Sequence, residues 1–177
     1  MATSDEALAR AAAGGDREAF SSLLVRHYDR VFGLAFRMTG RREEAEDLCQ
    51  DVCAALPVKL QAFRGDSRFS TWLYRVVVNA AHDRRRRALV YAKAAASWGE
   101  VEVARRAEAD EADAAQGWLQ AAMRALPDDL RDTMALILED EVTHAAAAEI
   151  LGVSEGTISW RVSEVKKRIR AMKEAQE

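Results

Sequence analysis

The sequence predicts an all-α protein: two small helical domains joined by a flexible linker, the C-terminal one containing a helix-turn-helix. Three observations predict it. The 177 residues include only two prolines and nine glycines, whereas the helix formers Ala, Leu, Glu and Arg abound. Apolar residues recur at spacings of three and four through most of the chain. Finally, Thr143 to Val162 reads as two short helices around a tight turn at Leu151, Gly152 and Val153. Ala148 stands four residues before Gly152, where two crossing helices leave little room for a side chain. The second helix of such a unit enters the DNA major groove.

The elements follow in order. Asp16 is a good N-cap for a first amphipathic helix carrying Phe20, Leu23, Leu24, Val31, Leu34, Ala35 and Met38, and Gly40 suits its end. A second helix with an acidic start spans 42 to 60, with Ala45, Leu48, Val52, Ala55 and Leu56 on its apolar face. Pro57 kinks or ends it. A loop at 63–70 has Gly65 for the turn and Asp66 or Ser67 as a cap. The next helix runs from about 68 to 89, with Phe69, Trp72, Leu73, Val76, Val77 and Ala80 as a wide apolar stripe, which makes Trp72 a core residue. Residues 90–116 are rich in Ala, Glu and Asp and thin in aliphatic bulk, and read as an acidic linker. Helices at 118–126 and from Pro127 to about 139 lead into the helix-turn-helix. The domains are therefore 1–89 and 117–177.

The net charge of −3 conceals an uneven distribution. Residues 1–88 carry 15 basic and 12 acidic side chains, and the acidic excess falls on the linker and the second domain. Arg84, Arg85, Arg86 and Arg87 form one basic block. Arg161, Lys166, Lys167, Arg168, Arg170 and Lys173 form another, and such local patches set the field felt by a phosphate backbone. No apolar run is long enough to span a bilayer, so membrane insertion is not expected, and the N-terminus lacks the pattern of a signal peptide. The expected compartment is the cytoplasm. Cys49 and Cys53 lie one helical turn apart and read as small apolar side chains, with redox chemistry as the alternative. His27, His82 and His144 have no ligand-like spacing to them, and no glycine-rich phosphate loop or nucleophile–base pair is present. Neither a metal, a cofactor nor an enzymatic activity is expected.

On the last helix Ile158, Val162, Val165, Ile169 and Met172 define a buried stripe. Gly156, Trp160, Ser163 and Lys167 point the other way, flanked by Thr157, Ser159 and Arg161, with Ser154 at the helix start. This is the surface free to meet DNA. Trp160 either packs on the protein surface or touches a thymine methyl or sugar edge.

At this point the residues resemble a known family, the extracytoplasmic-function sigma factors of bacteria, over about Ala19 to Met172. Ala45 to Val52 is similar to the family's acidic polymerase-binding helix, Phe63 to Arg85 to its promoter-melting and minus-ten segment, and Ala125 through the helix-turn-helix to its minus-thirty-five reader. The resemblance implies a promoter-specificity subunit that binds RNA polymerase core, through the β′ clamp helices and the β flap, together with promoter DNA. Asp47, Gln50 and Asp51 would face the clamp helices. Gly65, Asp66 and Ser67 would hold a flipped base, Asn79 would read a base, and Arg75 and Arg84 to Arg87 would hold phosphates. Ser154, Gly156, Thr157, Ser159, Trp160, Arg161, Ser163 and Lys167 would serve the minus-thirty-five element. The family also implies a separate anti-sigma factor, since the chain ends soon after the recognition helix. Ala145 to Ala147, and the Ser159–Trp160 pair, depart from the family's usual residues and imply an atypical minus-thirty-five preference. The alternative is a stand-alone helix-turn-helix regulator, which would have to dimerise on a palindrome.

Overall fold

A computed structural model describes residues 3–97 and 114–175. Every element among them is a helix: α1 (Asp5–Ala13), α2 (Arg17–Thr39), α3 (Arg42–Leu60), α4 (Phe69–Ser97), α5 (Ala114–Ala125), α6 (Asp128–Ile137), α7 (His144–Leu151) and α8 (Glu155–Glu174). None is long and apolar enough to cross a membrane.

Local chemistry fixes most of the ends. Asp16 caps α2 by accepting from the N–H groups of Glu18 and Ala19 at 2.9 and 3.0 Å. Gly40 ends α2 at φ +72°, a left-handed conformation that suits glycine, and donates its N–H to the Phe36 carbonyl. α3 continues through Pro57 for one more turn. Gly152 closes α7 in the same left-handed way, at φ +66°, which sets the turn of the helix-turn-helix. Pro127 stands just before the first residue of α6 rather than inside its first turn.

Two further features differ from the sequence expectation. α1 was not anticipated. Ser4 caps it by accepting from the Ala7 N–H, and Ala9 is fully buried, but nine residues with mostly alanine on the inner face give little periodic signal. α4 also runs to Ser97, past the expected end near Leu89, so the segment read as a linker from residue 90 begins inside a helix. Leu89, Val90 and Tyr91 are exposed there, and alanine-rich propensity rather than packing carries the extension. The rest of the acidic stretch, 98–113, lies outside the described residues.

α2, α3 and α4 pack around Leu34, Met38, Leu48, Val52, Leu60, Phe69, Leu73 and Tyr74, with α1 laid across α2 and α3. Trp72 is half-buried and packs on the core against Phe63 and Phe69, at ring-centroid distances of 5.3 and 5.7 Å. In the C-terminal half Met123, Leu126, Leu130 and Val165 make a smaller core. The halves are pressed together, α6 against α2 and α7 against α4. One apolar cluster runs across the junction, from Leu34 and Met38 to Leu136, Ala147, Ile150 and Ile158.

Candidate nucleic-acid interface

α8 has the two faces that its sequence implies. Ile158, Val162 and Val165 are buried, whereas Gly156, Ser159, Trp160, Ser163 and Lys167 are exposed together. Trp160 is 61% exposed and fills no core position. A Cβ added to Gly156 would meet only the Ser154 hydroxyl at 3.7 Å, so the outer side of the backbone is open to a close approach. Ser154 and Thr157 are engaged locally, the Ser154 hydroxyl capping the Thr157 N–H at 3.1 Å. The Ser159 hydroxyl lies 3.2 Å from His144 Nδ1 of α7, joining the two helices of the motif. Arg161 is not part of this surface. It turns inward to α6, 3.5 Å from the Asp129 carboxylate and 3.4 Å from the Thr133 hydroxyl.

The second group of residues sits before and along α4. Gly65 adopts φ +77°, with Asp66 exposed and Ser67 half-buried beside it. The leading N–H of α4, on Phe69, donates to the Glu6 carboxylate of α1 at 3.3 Å, so the cap expected from Asp66 or Ser67 comes from α1 instead. Asn79 is exposed on α4. The arginines are mostly engaged: Arg75 pairs with Glu149 of α7, and Arg86 with Asp83 at 2.9 Å. Arg87 is exposed.

Asp47, Gln50 and Asp51 share one exposed turn of α3, with Leu48, Cys49 and Val52 buried behind them. Arg84 reaches across from α4 to donate to Asp51 at 2.6 Å and Asp47 at 3.3 Å. The acidic face and the arginine block therefore meet at one residue.

Between the halves lies a polar clasp. Arg85 donates to both oxygens of Asp132 on α6, His82 Nε2 lies 2.7 Å from the same carboxylate, and Arg85 also donates to the Met38 carbonyl. Asp132 is only 3% exposed at its side chain. Burial pushes its carboxyl pKa up, but the His82 and Arg85 hydrogen bonds and the Arg85 charge outweigh this and hold it below the ordinary value. Tyr74 donates to Glu139 at 3.1 Å, Arg37 pairs with the same carboxylate, and Arg30 reaches Glu141 at 3.2 Å.

Residues 23–89 match the model for Sigma-70 region 2, and residues 116–169 match that for Sigma-70, region 4. The ECF RNA polymerase sigma factor SigM of Mycobacterium tuberculosis is 35% identical over 167 residues, covering 94% of this chain and 83% of the relative. The chain belongs to the ECF RNA polymerase sigma factors. A sigma factor directs RNA polymerase to specific promoters, and that is the function of this protein. Another relative, the ECF RNA polymerase sigma factor SigW of Bacillus subtilis, is 29% identical, covering 88% of this sigma factor and 89% of its own length. The fold is shared with CnrH in its complex with the cytosolic domain of CnrY, at a TM-score of 0.70 and 24% identity over 98% of this chain and 99% of that one. It is also shared with the sigma factor RpoE of Bartonella quintana in its complex with the anti-sigma factor NepR, at 0.72 and 23% over 89% and 98%.

Sequence reasoning missed several residues of this sigma factor. Asp132, Glu139, Glu149 and His82 hold its halves together, and no local pattern marks them, because each finds its partners across 47 or more positions of chain. Glu6 was missed along with α1. The cysteines behave as read: Cys49 is buried and Cys53 half-buried, and burial lifts the Cys49 thiol pKa to about 11, away from thiolate chemistry.

Proposed function

We propose that the N-terminal domain, 1–89, grips polymerase core and opens the minus-ten element, that 90–116 tethers it, and that 117–177 reads the minus-thirty-five element. The supporting observation is the exposed outer face of α8, where Gly156, Ser159, Trp160, Ser163 and Lys167 lie together over a buried apolar stripe. Small residues at its start admit the helix into a groove, and Lys167 lies further along for phosphate.

In the first domain Asp47, Gln50 and Asp51 offer carboxylates and an amide to the basic clamp helices of β′, a charge match that sets orientation and on-rate. The polymerase's β flap is the other expected contact of the protein. Gly65, Asp66 and Ser67 form the pocket for an unpaired base, Asn79 supplies a donor and an acceptor, and Arg75 and Arg84 to Arg87 hold phosphates. Ser154 and Thr157 complete the minus-thirty-five assignment, whereas Arg161, turned to α6, falls outside it. Strand opening needs no ATP here, since binding that prefers the opened strand shifts the equilibrium by differential affinity. The protein carries no catalytic chemistry of its own, works in the cytoplasm where promoter and polymerase are, and is held in check by a separate anti-sigma factor. The fold shared with RpoE, whose complex with an anti-sigma factor is known, supports that last partner.

The deciding experiment is run-off transcription with purified core polymerase and genomic promoter fragments. Specific transcripts from core plus this chain, and none from core alone, are expected. A chain that never initiates, yet binds palindromic duplex tightly without polymerase, is the stand-alone regulator instead.

A further inference from the structure

The residues assigned above to polymerase and to promoter are in contact with each other. Nη1 of Arg84 is 2.6 Å from Asp51 and Nη2 is 3.3 Å from Asp47, so the two nitrogens of its fork are closed on two carboxylates of α3. The pair of carboxylates is well exposed, at 63% and 55% of the side chain, and Arg84 is 34% exposed, so a partner can reach all three. Arg85 next to it faces the other way, onto Asp132. Arg87 pairs with no carboxylate among the described residues.

Charge decides what this arrangement does. One guanidinium between two carboxylates leaves the group with a net negative charge, which repels a phosphate. A basic side chain arriving on Asp47 and Asp51 removes the reason for Arg84 to stay, and frees a fork whose geometry suits a phosphate. We propose that Arg84 couples the two binding events: it holds Asp47 and Asp51 in the free sigma factor and passes to a promoter phosphate when polymerase takes those carboxylates. Binding of core then strengthens the grip on minus-ten DNA, and by linkage DNA strengthens the grip on core to the same degree. The proposal rests on the assignment of Asp47 and Asp51 to polymerase.

The test is equilibrium titration of the full chain with purified core polymerase at low salt, using R84A, R84K and R87A in the natural background and R84A in a D47N/D51N background. Exposed ion pairs are weak, so R84A should tighten core binding by about two- to fivefold. R84K keeps the charge but not the fork, so its core affinity should lie between that of the natural chain and that of R84A. R87A removes the same charge without releasing a carboxylate, and should change core affinity by less than R84A does. In the D47N/D51N background the R84A effect should vanish. The R84A holoenzyme should also bind a minus-ten fork more weakly, with a salt slope lower by about one. Core affinity unchanged by R84A, or raised equally by R87A, or fork binding unchanged, overturns the coupling while the polymerase assignment stands. If D47N/D51N itself leaves core binding intact, the assignment fails and the coupling falls with it.

Discussion

Arg85 of α4 closes both ends of its fork on Asp132 of α6, at 2.8 and 2.6 Å, and so joins the two halves of the sigma factor through a carboxylate that is almost wholly buried. His82 takes up the same carboxylate at 2.7 Å. Asp132 is thus satisfied by residues of the other half, which ties α6 to α4. Arg85 is also proposed for a promoter phosphate, and on that proposal the clasp and the DNA would compete for it.

Removing the carboxylate should loosen the clasp. Asp132→Ala leaves Arg85 without its main partner, and because Arg85 is 24% exposed, water offsets part of the loss. A destabilisation of about 1–3 kcal/mol is expected, below the range for a fully buried pair. Urea unfolding measures it. If the clasp restrains the assigned promoter residues, the same variant should bind a minus-ten fork more tightly as holoenzyme, whereas equal or weaker binding would show that the clasp does not compete with DNA.

The clasp also fixes a pH dependence. The Asp132 carboxyl is held below its ordinary pKa of 3.8, so the unfolded chain takes up the proton first as pH falls. Its contribution is fully present above that value, and is lost as pH drops through the lower folded value. Stability should therefore stay flat in this contribution from neutral pH to about 5, and decline below 4. A series of urea midpoints against pH, with Asp132→Asn as reference, isolates it: the natural chain should lose more stability than the variant below pH 4, and parallel curves would refute the assignment.

Trp160 should separate binding from folding. Its side chain is 61% exposed and off the stripe of Ile158, Val162 and Val165, so Trp160→Ala should change stability by no more than about 0.5 kcal/mol. Contact with a thymine methyl or sugar edge would cost about 1–3 kcal/mol of promoter affinity, concentrated at the minus-thirty-five element. Unchanged affinity and preference would make it a bystander on the surface.

How much was legible follows from where the information sits. Asp16, Gly40, Gly152 and the Ile158–Val162–Val165 stripe act within a few residues of chain, so the limits of α2, the turn of the helix-turn-helix and the two faces of α8 could be read directly. α1 escaped because alanine carries little hydrophobic contrast, and the extension of α4 because helix propensity without a stripe resembles a linker. The outer face of α8 follows from face and charge, and Asp47, Gln50 and Asp51 follow from the resemblance to the family; both sets lie on exposed surface. Face and charge do not tell which arginine already has a partner. Of the arginines assigned to DNA, Arg75, Arg84, Arg85 and Arg161 meet carboxylates brought by folding, and Arg86 finds one, Asp83, near enough in sequence to be guessed.

Lys167 and Arg161 give the contrast that tests this distinction. Both were assigned to the minus-thirty-five surface, yet Lys167 is exposed, whereas Arg161 is turned to Asp129 and Thr133 with 16% of its side chain exposed. If Lys167 meets a phosphate, Lys167→Ala should weaken binding about equally across promoter sequences and lower the salt slope by about one, with the thermal midpoint unchanged. Arg161→Ala should instead act on folding, since it removes the ion pair of the half-exposed Asp129 and one donor from the buried Thr133 hydroxyl, which keeps its bond to the Asp129 carbonyl, at about 1 kcal/mol. Its salt slope should match that of the natural chain. Holoenzyme binding to a minus-thirty-five duplex, measured from low to moderate salt beside thermal melts of the same variants, reads both. A reduced slope for Arg161→Ala with an unchanged melt would mean that this arginine leaves α6 to bind DNA.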